Sequence, residues 1–236
     1  MTAMPLLNSR FNELTPEVRM QPNRILVIAT RNKGKTAEIR DLLKGFPIFI
    51  KNLDDFGPIP EVEEDGTSFD ENAYKKASFT ARVLGFPALA DDSGLCVDAL
   101  GGAPGIHSAR FAGQQATDAQ RVGKLLADLG DSRHRRAVFH CVLSISVPSG
   151  PALTYEASCE GEITLTPAGE NGFGYDPIFY FPPAGKTFAQ LSREEKGRVS
   201  HRGKALYELR NEFDKVLKWI DRHMPAEEKF CGFSKH

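Results

Sequence analysis

The 236-residue chain lacks the strong biases that would settle its class at a glance. Lysine and arginine total 30 against 31 aspartates and glutamates, a formal net charge of −1, so no global field draws the chain to nucleic acid or to an acidic membrane. Any anion site must be local. No apolar run approaches the roughly 18–20 residues of a membrane span. The first two dozen residues, which mix Arg10, Glu13, Glu17 and Arg19 with Pro5, Pro16 and Pro22, lack the apolar stretch of a secretory signal. The four cysteines, Cys96, Cys141, Cys159 and Cys231, show no C-x-x-C spacing. That argues against a zinc ribbon or disulfide framework and for buried thiols in a reducing compartment, with the cytoplasm as the default. Internal repeats and long linkers are also missing.

What remains is the composition of a globular protein, 41% hydrophobic and 26% charged, with a regular succession of strand-like and helix-like runs. The apolar run Ile25 to Ala29 reads as a strand, and Ile39, Leu42, Leu43 and Phe46 recur at helical spacing after it. Residues Ile48 to Leu53 form a short second strand, followed by an acidic loop with Glu61, Glu63, Glu64 and Asp65. Ser68-Phe69-Asp70-Glu71 opens a helix whose apolar side is Phe69, Ala73, Ala77, Ala81 and Leu84. Pro87 to Ala90 reads as a buried strand ending in Asp91-Asp92-Ser93-Gly94, and Leu95 to Val97 continues as a short extended piece. Thr117-x-x-Gln120 opens a third helix, Ala137 to Val147 pairs antiparallel with Ala152 to Ser158, and a last helix runs from about His201 to Arg222. The expected architecture is α/β: an elongated mixed β-sheet with flanking helices and two lobes around a central cleft, in one domain over 23–223, with an N-terminal extension (1–22) and a C-terminal tail (224–236).

Chemistry concentrates at a few points. Thr30-Arg31-Asn32-Lys33-Gly34-Lys35 joins the first strand to a helix, where unpaired backbone N–H groups and the helix dipole favour phosphate. An ordinary turn with solvated lysines is the competing reading. Gly34-Lys35-Thr36 matches the last positions of a P-loop, but Ala29 stands where that motif needs its first glycine. Asn72 and Lys76 share one side of a helix. Asp91 and Asp92 are adjacent, so on a strand they point to opposite faces, one into a cleft and one into the fold; as Asp-Asp-Ser-Gly they also read as a turn. Glu64 and Asp92 suit a hard cation, which takes one or two carboxylates together with substrate phosphate, although Glu63 is adjacent to Glu64. Phe173 and Tyr175 are either base-stacking or core aromatics. His201 and Arg202 are either donors to a base or caps of the last helix.

Taken in order, Thr30-x-Asn32-x-x-Lys35, Phe69-x-Glu71-Asn72-Ala73-x-x-Lys76-Ala77, Ala90-Asp91-Asp92-Ser93-Gly94-Leu95, Gly101-Gly102-Ala103-Pro104-Gly105, Gly172-Phe173-Gly174-Tyr175-Asp176-Pro177 and Ser200-His201-Arg202-Gly203 resemble the inosine triphosphate pyrophosphatase family, which clears deaminated purine nucleoside triphosphates. The resemblance spans Ile25 to Phe213. It implies Mg2+-dependent hydrolysis of ITP, dITP or XTP to a monophosphate and pyrophosphate by a homodimer, with no nucleic acid or membrane partner. It places the triphosphate on Thr30, Arg31, Asn32, Lys33, Gly34 and Lys35, with Asn72 and Lys76 nearby, and the metal on Glu64 and Asp92. Asp92 would also accept the proton of the attacking water. Ser93, Phe173, Gly174, Tyr175, Asp176, Lys196, His201 and Arg202 would contact the nucleotide. A pyrophosphatase for other modified nucleotides and a nucleotide-binding regulator without turnover are the competing functions.

Overall fold

A computed structural model describes residues 24–60 and 62–224, so the expected N-terminal extension and nearly all of the C-terminal tail, including Cys231, lie outside the described residues. Seven strands form one mixed sheet in the order β2-β1-β3-β4-β5-β6-β7. β1 (Ile25–Ile28) runs parallel to β2 (Phe49–Asn52) and to β3 (Ala88–Val97), reached through helices α1 (Lys33–Leu42) and α2 (Phe69–Leu84). From β3 onward the sheet is antiparallel: β4 (Arg136–Ser146), β5 (Ala152–Ile163), β6 (Phe179–Phe181) and β7 (Lys186–Thr187). Helices α1 and α2 permit the parallel return, and Pro148 to Pro151 can only close the β4–β5 hairpin, while the β3–β4 connection is long and carries a helix of its own. Helices α3 (Asp118–Leu129), α4 (Arg193–Val199) and α5 (His201–His223) complete the described elements used below.

Alternation along β3 organises the molecule. Ala88 and Ala90 pack with Val27, Ala29, Ala77 and Ala81, so small side chains let α2 lie close on one face. Leu89 faces the other way, into a cluster with Leu26, Ile28, Ile39, Leu143, Leu209 and Phe213. Leu95 and Val97 point to that same side but join a second cluster with Leu125, Phe139, Phe179 and Phe188. Between the two clusters β3 presents Asp91 and Ser93, where an unbroken core would carry two apolar residues. That polar gap is the floor of the expected cleft.

One expectation needs correction. Asp91 to Gly94 is neither a turn nor a strand end: β3 is continuous for ten residues, and all ten pair with β4, so ladder bonding overrides the turn preference of Asp, Ser and Gly. Lys196 lies just before α5 on the short helix α4, whose capping box, Ser192 with Glu195, is a start signal visible in the sequence.

Candidate active site

Asn32 caps α1, its side chain accepting the Lys35 N–H at 3.1 Å, and this aims Lys35 inward. The Lys35 Nζ donates to Asp91 Oδ1 at 2.5 Å and to the Asp91 carbonyl at 3.2 Å. From α5, Arg202 Nε donates to Asp91 Oδ2 at 2.6 Å, and its Nη1 to Glu38 of α1 at 3.0 Å. Ser93 Oγ donates to Asp91 Oδ1 at 2.6 Å, and the buried Cys141 thiol lies 3.7 Å from Oδ2. Burial opposes the charge on Asp91, but Arg202 and Lys35 outweigh it and hold the carboxyl well below the ordinary value. Asp91 is therefore a fixed counter-ion.

Its neighbour faces α2 and differs in every respect. Asp92 Oδ1 accepts from Lys76 Nζ at 2.5 Å, while Oδ2 is buried without a hydrogen-bond partner among the described residues. Burial pushes the Asp92 carboxyl up, with Lys76 and Lys35 opposing. Lys76 Nζ also lies 3.5 Å from Glu64 Oε1, so one ammonium sits between two carboxylates. Despite its burial, those carboxylates raise the Lys76 pKa. Glu64 is held from its other side by Arg110, whose Nη2 donates to the Glu64 carbonyl at 3.2 Å. Asn72 does not reach this group; it is buried, and its Oδ1 accepts the Gly66 N–H at 2.9 Å, anchoring the acidic loop.

The other end of the cleft is aromatic and cationic. The Phe173 ring lies 4.7 Å from Lys196 Nζ and 5.3 Å from the Arg202 guanidinium carbon, as measured from its centroid. A Cβ on Gly34 would come within 2.9 Å of that ring, so glycine is what lets the basic turn and the Phe173 loop touch. Asp176 Oδ2 accepts from Lys196 Nζ at 2.5 Å and from the Phe173 N–H at 2.8 Å. Burial raises the Asp176 pKa against the pull of Lys196. His201 is buried, stacked on Phe139 at 4.5 Å, and burial with Arg202 and Lys196 lowers its pKa well below the usual imidazole value. It is neutral. Tyr175 is a core residue whose hydroxyl donates to the Ser108 carbonyl at 2.9 Å.

The sequence-predicted residues thus divide. Asn32, Lys35, Ser93, Phe173, Gly174, Tyr175, Asp176, Lys196, His201 and Arg202 line one cavity. Thr30, Arg31 and Lys33 line a separate opening behind the turn, where Arg31 faces Asp54. Glu38, Arg110, Asp118 and Arg121 were missed. Glu38 follows Lys35 at helical spacing, a signal the sequence does offer, but Arg110 at the end of a short 3-10 turn and Asp118 and Arg121 in the first turn of α3 give no hint of where they point.

Asp92 and Glu64 suit a hard divalent cation: Oδ2 of Asp92 lacks a partner, and both carboxylates already flank one positive charge. Among the described residues no group of three or more His, Cys, Asp or Glu side chains could hold a metal, so the donor set fits a cation that takes substrate phosphate and water for its remaining ligands.

A mixed sheet with helices on its faces, whose central strand holds Lys35 at Asp91 on one face and Lys76 at Asp92 on the other, beside an aromatic-cationic pocket at Phe173, defines an α/β protein with a cation-lined cleft. The chain belongs to the Ham1 family, whose model matches residues 26–212. It is 67% identical over 196 residues to a dITP/XTP pyrophosphatase of Syntrophobacter fumaroxidans, covering 83% of this chain and 84% of the relative. A dITP/XTP pyrophosphatase of Desulfotalea psychrophila is 56% identical over 205 residues, 87% of this chain and 92% of that one. The structure of a HAM1 protein from Coxiella burnetii superposes with a TM-score of 0.76 at 44% identity, covering 81% of this chain and 98% of the other.

Proposed function

We propose that the protein hydrolyses the α–β phosphoanhydride of deaminated purine nucleoside triphosphates, dITP, ITP and XTP, releasing a nucleoside monophosphate and pyrophosphate. The observation that carries this reading is the pair of adjacent carboxylates on opposite faces of β3, one neutralised by Lys35 and Arg202, the other beside Lys76 and Glu64 with a free oxygen.

Lys35 and Lys76 bind the phosphates and stabilise charge as it builds on the leaving pyrophosphate. Asp92 orients a water and accepts its proton. Phe173 stacks on the base, and the neutral His201 with Arg202 and Lys196 supplies donors suited to a 6-oxo group. Adenine carries an amino donor there, and a site whose buried donors would be left unpaired rejects it by a factor on the order of 10⁴. Mg2+ is the proposed cofactor, held by Glu64 and Asp92; when bound it supplies Lewis-acid stabilisation of the phosphoryl oxygens. Cytoplasmic residence is proposed from the free thiols Cys96, Cys141 and Cys159. A homodimer is proposed from the family resemblance, and light scattering at one chain mass per particle would overturn it.

The test is a product assay with ITP, XTP, GTP, ATP and a modified pyrimidine triphosphate, with and without Mg2+. Monophosphate and pyrophosphate from ITP and XTP, with little from the others, is the expected result. Inorganic phosphate as product points to an ordinary triphosphatase, and binding without turnover to a regulator.

A further inference from the structure

The loop that carries Phe173 is tied down at its start, its end and its apex. At the start, the Asn171 N–H donates to the Ala189 carbonyl at 3.0 Å and its Nδ2 to the Leu191 carbonyl at 3.0 Å. At the end, the Tyr175 hydroxyl is bound to Ser108. The apex is Gly174, in the left-handed region at φ +63°, where a peptide can reorient at little cost. Its N–H donates at 2.7 Å to Asp118 Oδ2, which ties the apex to α3, while the preceding Phe173 N–H is held by Asp176 and through it by Lys196 of α4.

Asp118 is well placed for this. It is the first residue of α3, after the N-cap Thr117 and its reciprocal Gln120 bond, and α3 is fixed through Val122, Leu125 and Leu129. Its other oxygen, Oδ1, accepts from Arg121 Nη1, and Arg121 Nη2 donates to the Ala116 carbonyl at 2.5 Å. The guanidinium therefore fixes the carboxylate rotamer. Asp118 and Arg121 both line the cavity with Phe173, Lys196 and His201. Nothing in the chemistry of phosphate binding uses them.

We infer that Asp118, locked by Arg121, is a positioning residue for the base-binding arm of the cleft: it holds Gly174 so that the Phe173 ring stands against Gly34, Lys196 and Arg202. This rests on the proposed nucleotide function, but the hydrogen bond is measurable without it. Asp118 acts on the base and leaves the phosphate arm, Lys35 and Lys76, untouched.

The experiment compares Asp118→Ala with Asp118→Asn, which keeps an oxygen for the Gly174 N–H. Amide hydrogen exchange over residues 172–175 should speed up tenfold or more in Asp118→Ala and stay within threefold of wild type in Asp118→Asn. By calorimetry, inosine monophosphate should bind at least tenfold more weakly to Asp118→Ala, while inorganic triphosphate, which has no base, binds as to wild type. In kinetics KM for ITP rises with kcat within threefold, and Asp118→Asn restores it. Unchanged exchange at Gly174, unchanged monophosphate binding, or a parallel loss of inorganic triphosphate binding would each overturn the inference. If wild type turns over no ITP, the functional reading falls, while the exchange data still decide whether Asp118 holds the loop.

Discussion

Arg202 Nε lies 2.6 Å from Asp91 Oδ2 across 111 residues of sequence, and both side chains are almost wholly buried. A carboxylate that receives Lys35 from α1 and Arg202 from α5 binds two helices to the central strand through charge. Removing one partner of such a group leaves the others uncompensated in a low-dielectric interior, which costs about 3–5 kcal/mol. Asp91→Asn should therefore lower the unfolding free energy by about that amount in urea titrations. A loss below about 1 kcal/mol would mean that the group is hydrated and the link weak.

Asp92→Asn should behave in the opposite way. Its Oδ2 has no partner among the described residues, an amide oxygen can still accept from Lys76, which keeps Glu64 as counter-ion, and burial disfavours the Asp92 charge, so the amide leaves the thermal midpoint unchanged or higher. Turnover should fall about 10²–10⁴-fold, the usual contribution of a positioned base, with monophosphate binding retained. Retained turnover would remove Asp92 from the chemistry.

Lys76 occupies the space between Glu64 and Asp92 that a divalent cation would share. Replacing it with alanine leaves two carboxylates facing each other. In Lys76→Ala, Mg2+ or Mn2+ added without nucleotide should raise the melting temperature by more than it does in wild type, since no ammonium competes. Turnover should drop in the same variant if Lys76 binds phosphate as proposed. An equal or smaller metal effect would place the cation elsewhere.

Buried, neutral His201 sets a pH dependence whose sign is fixed by its lowered pKa. The unfolded chain, with an imidazole near 6.5, binds the proton that the folded state refuses, so stability from this group is present above about pH 6.5 and lost as pH falls below it. Between pH 7.5 and 5.5 the loss is about 1.4 kcal/mol while the folded pKa stays well below that range. Between the two pH values the unfolding free energy from urea titration should fall by this much more in wild type than in His201→Gln, and parallel pH profiles would show that His201 takes up a proton in the folded state.

Gly34→Ala places a methyl 2.9 Å from the Phe173 ring, tighter than carbon contacts tolerate. The ring must shift, so KM for ITP should rise several-fold while stability changes by less than about 1 kcal/mol, because the ring is partly exposed and can move. An unchanged KM would show that the ring position is not critical.

Much of this was readable beforehand because local rules and tertiary demands agreed. The caps at Ser68 and Thr117, the hairpin at Pro148 to Pro151 and the apolar face of α5 fall where spacing puts them. The opposite facing of Asp91 and Asp92 follows from strand geometry alone. The middle of β3 misled because turn propensity is local, whereas the pairing that overrides it comes from β4, some fifty residues on. Asn72 and the turn residues Thr30, Arg31 and Lys33 match the family motifs, yet their side chains point to a loop anchor and a separate opening, while Tyr175 lines the cavity with its hydroxyl tied to Ser108. Asp118 was invisible as anything but a helix start, since its partner, Gly174, lies 56 residues away.

The pairing of β3 with β4, Asp91 opposite Leu143 and Asp92 opposite Val142, has a consequence for how the chain tolerates error. A strand that slips by one residue turns every side chain to the other face. Here a slip one way would set Asp92 against Arg202 and Ser93 against Lys76, and a slip the other way Asp91 against Lys76 and Ala90 against Arg202, so either leaves one cation facing no carboxylate. The alanines at 88 and 90 and the leucine at 89 guard against that outcome, since misaligned they would bring leucine under α2, where only a methyl fits. Fidelity of the reaction is in this sense inherited from fidelity of folding, and apolar residues with no contact to substrate act as its proofreaders.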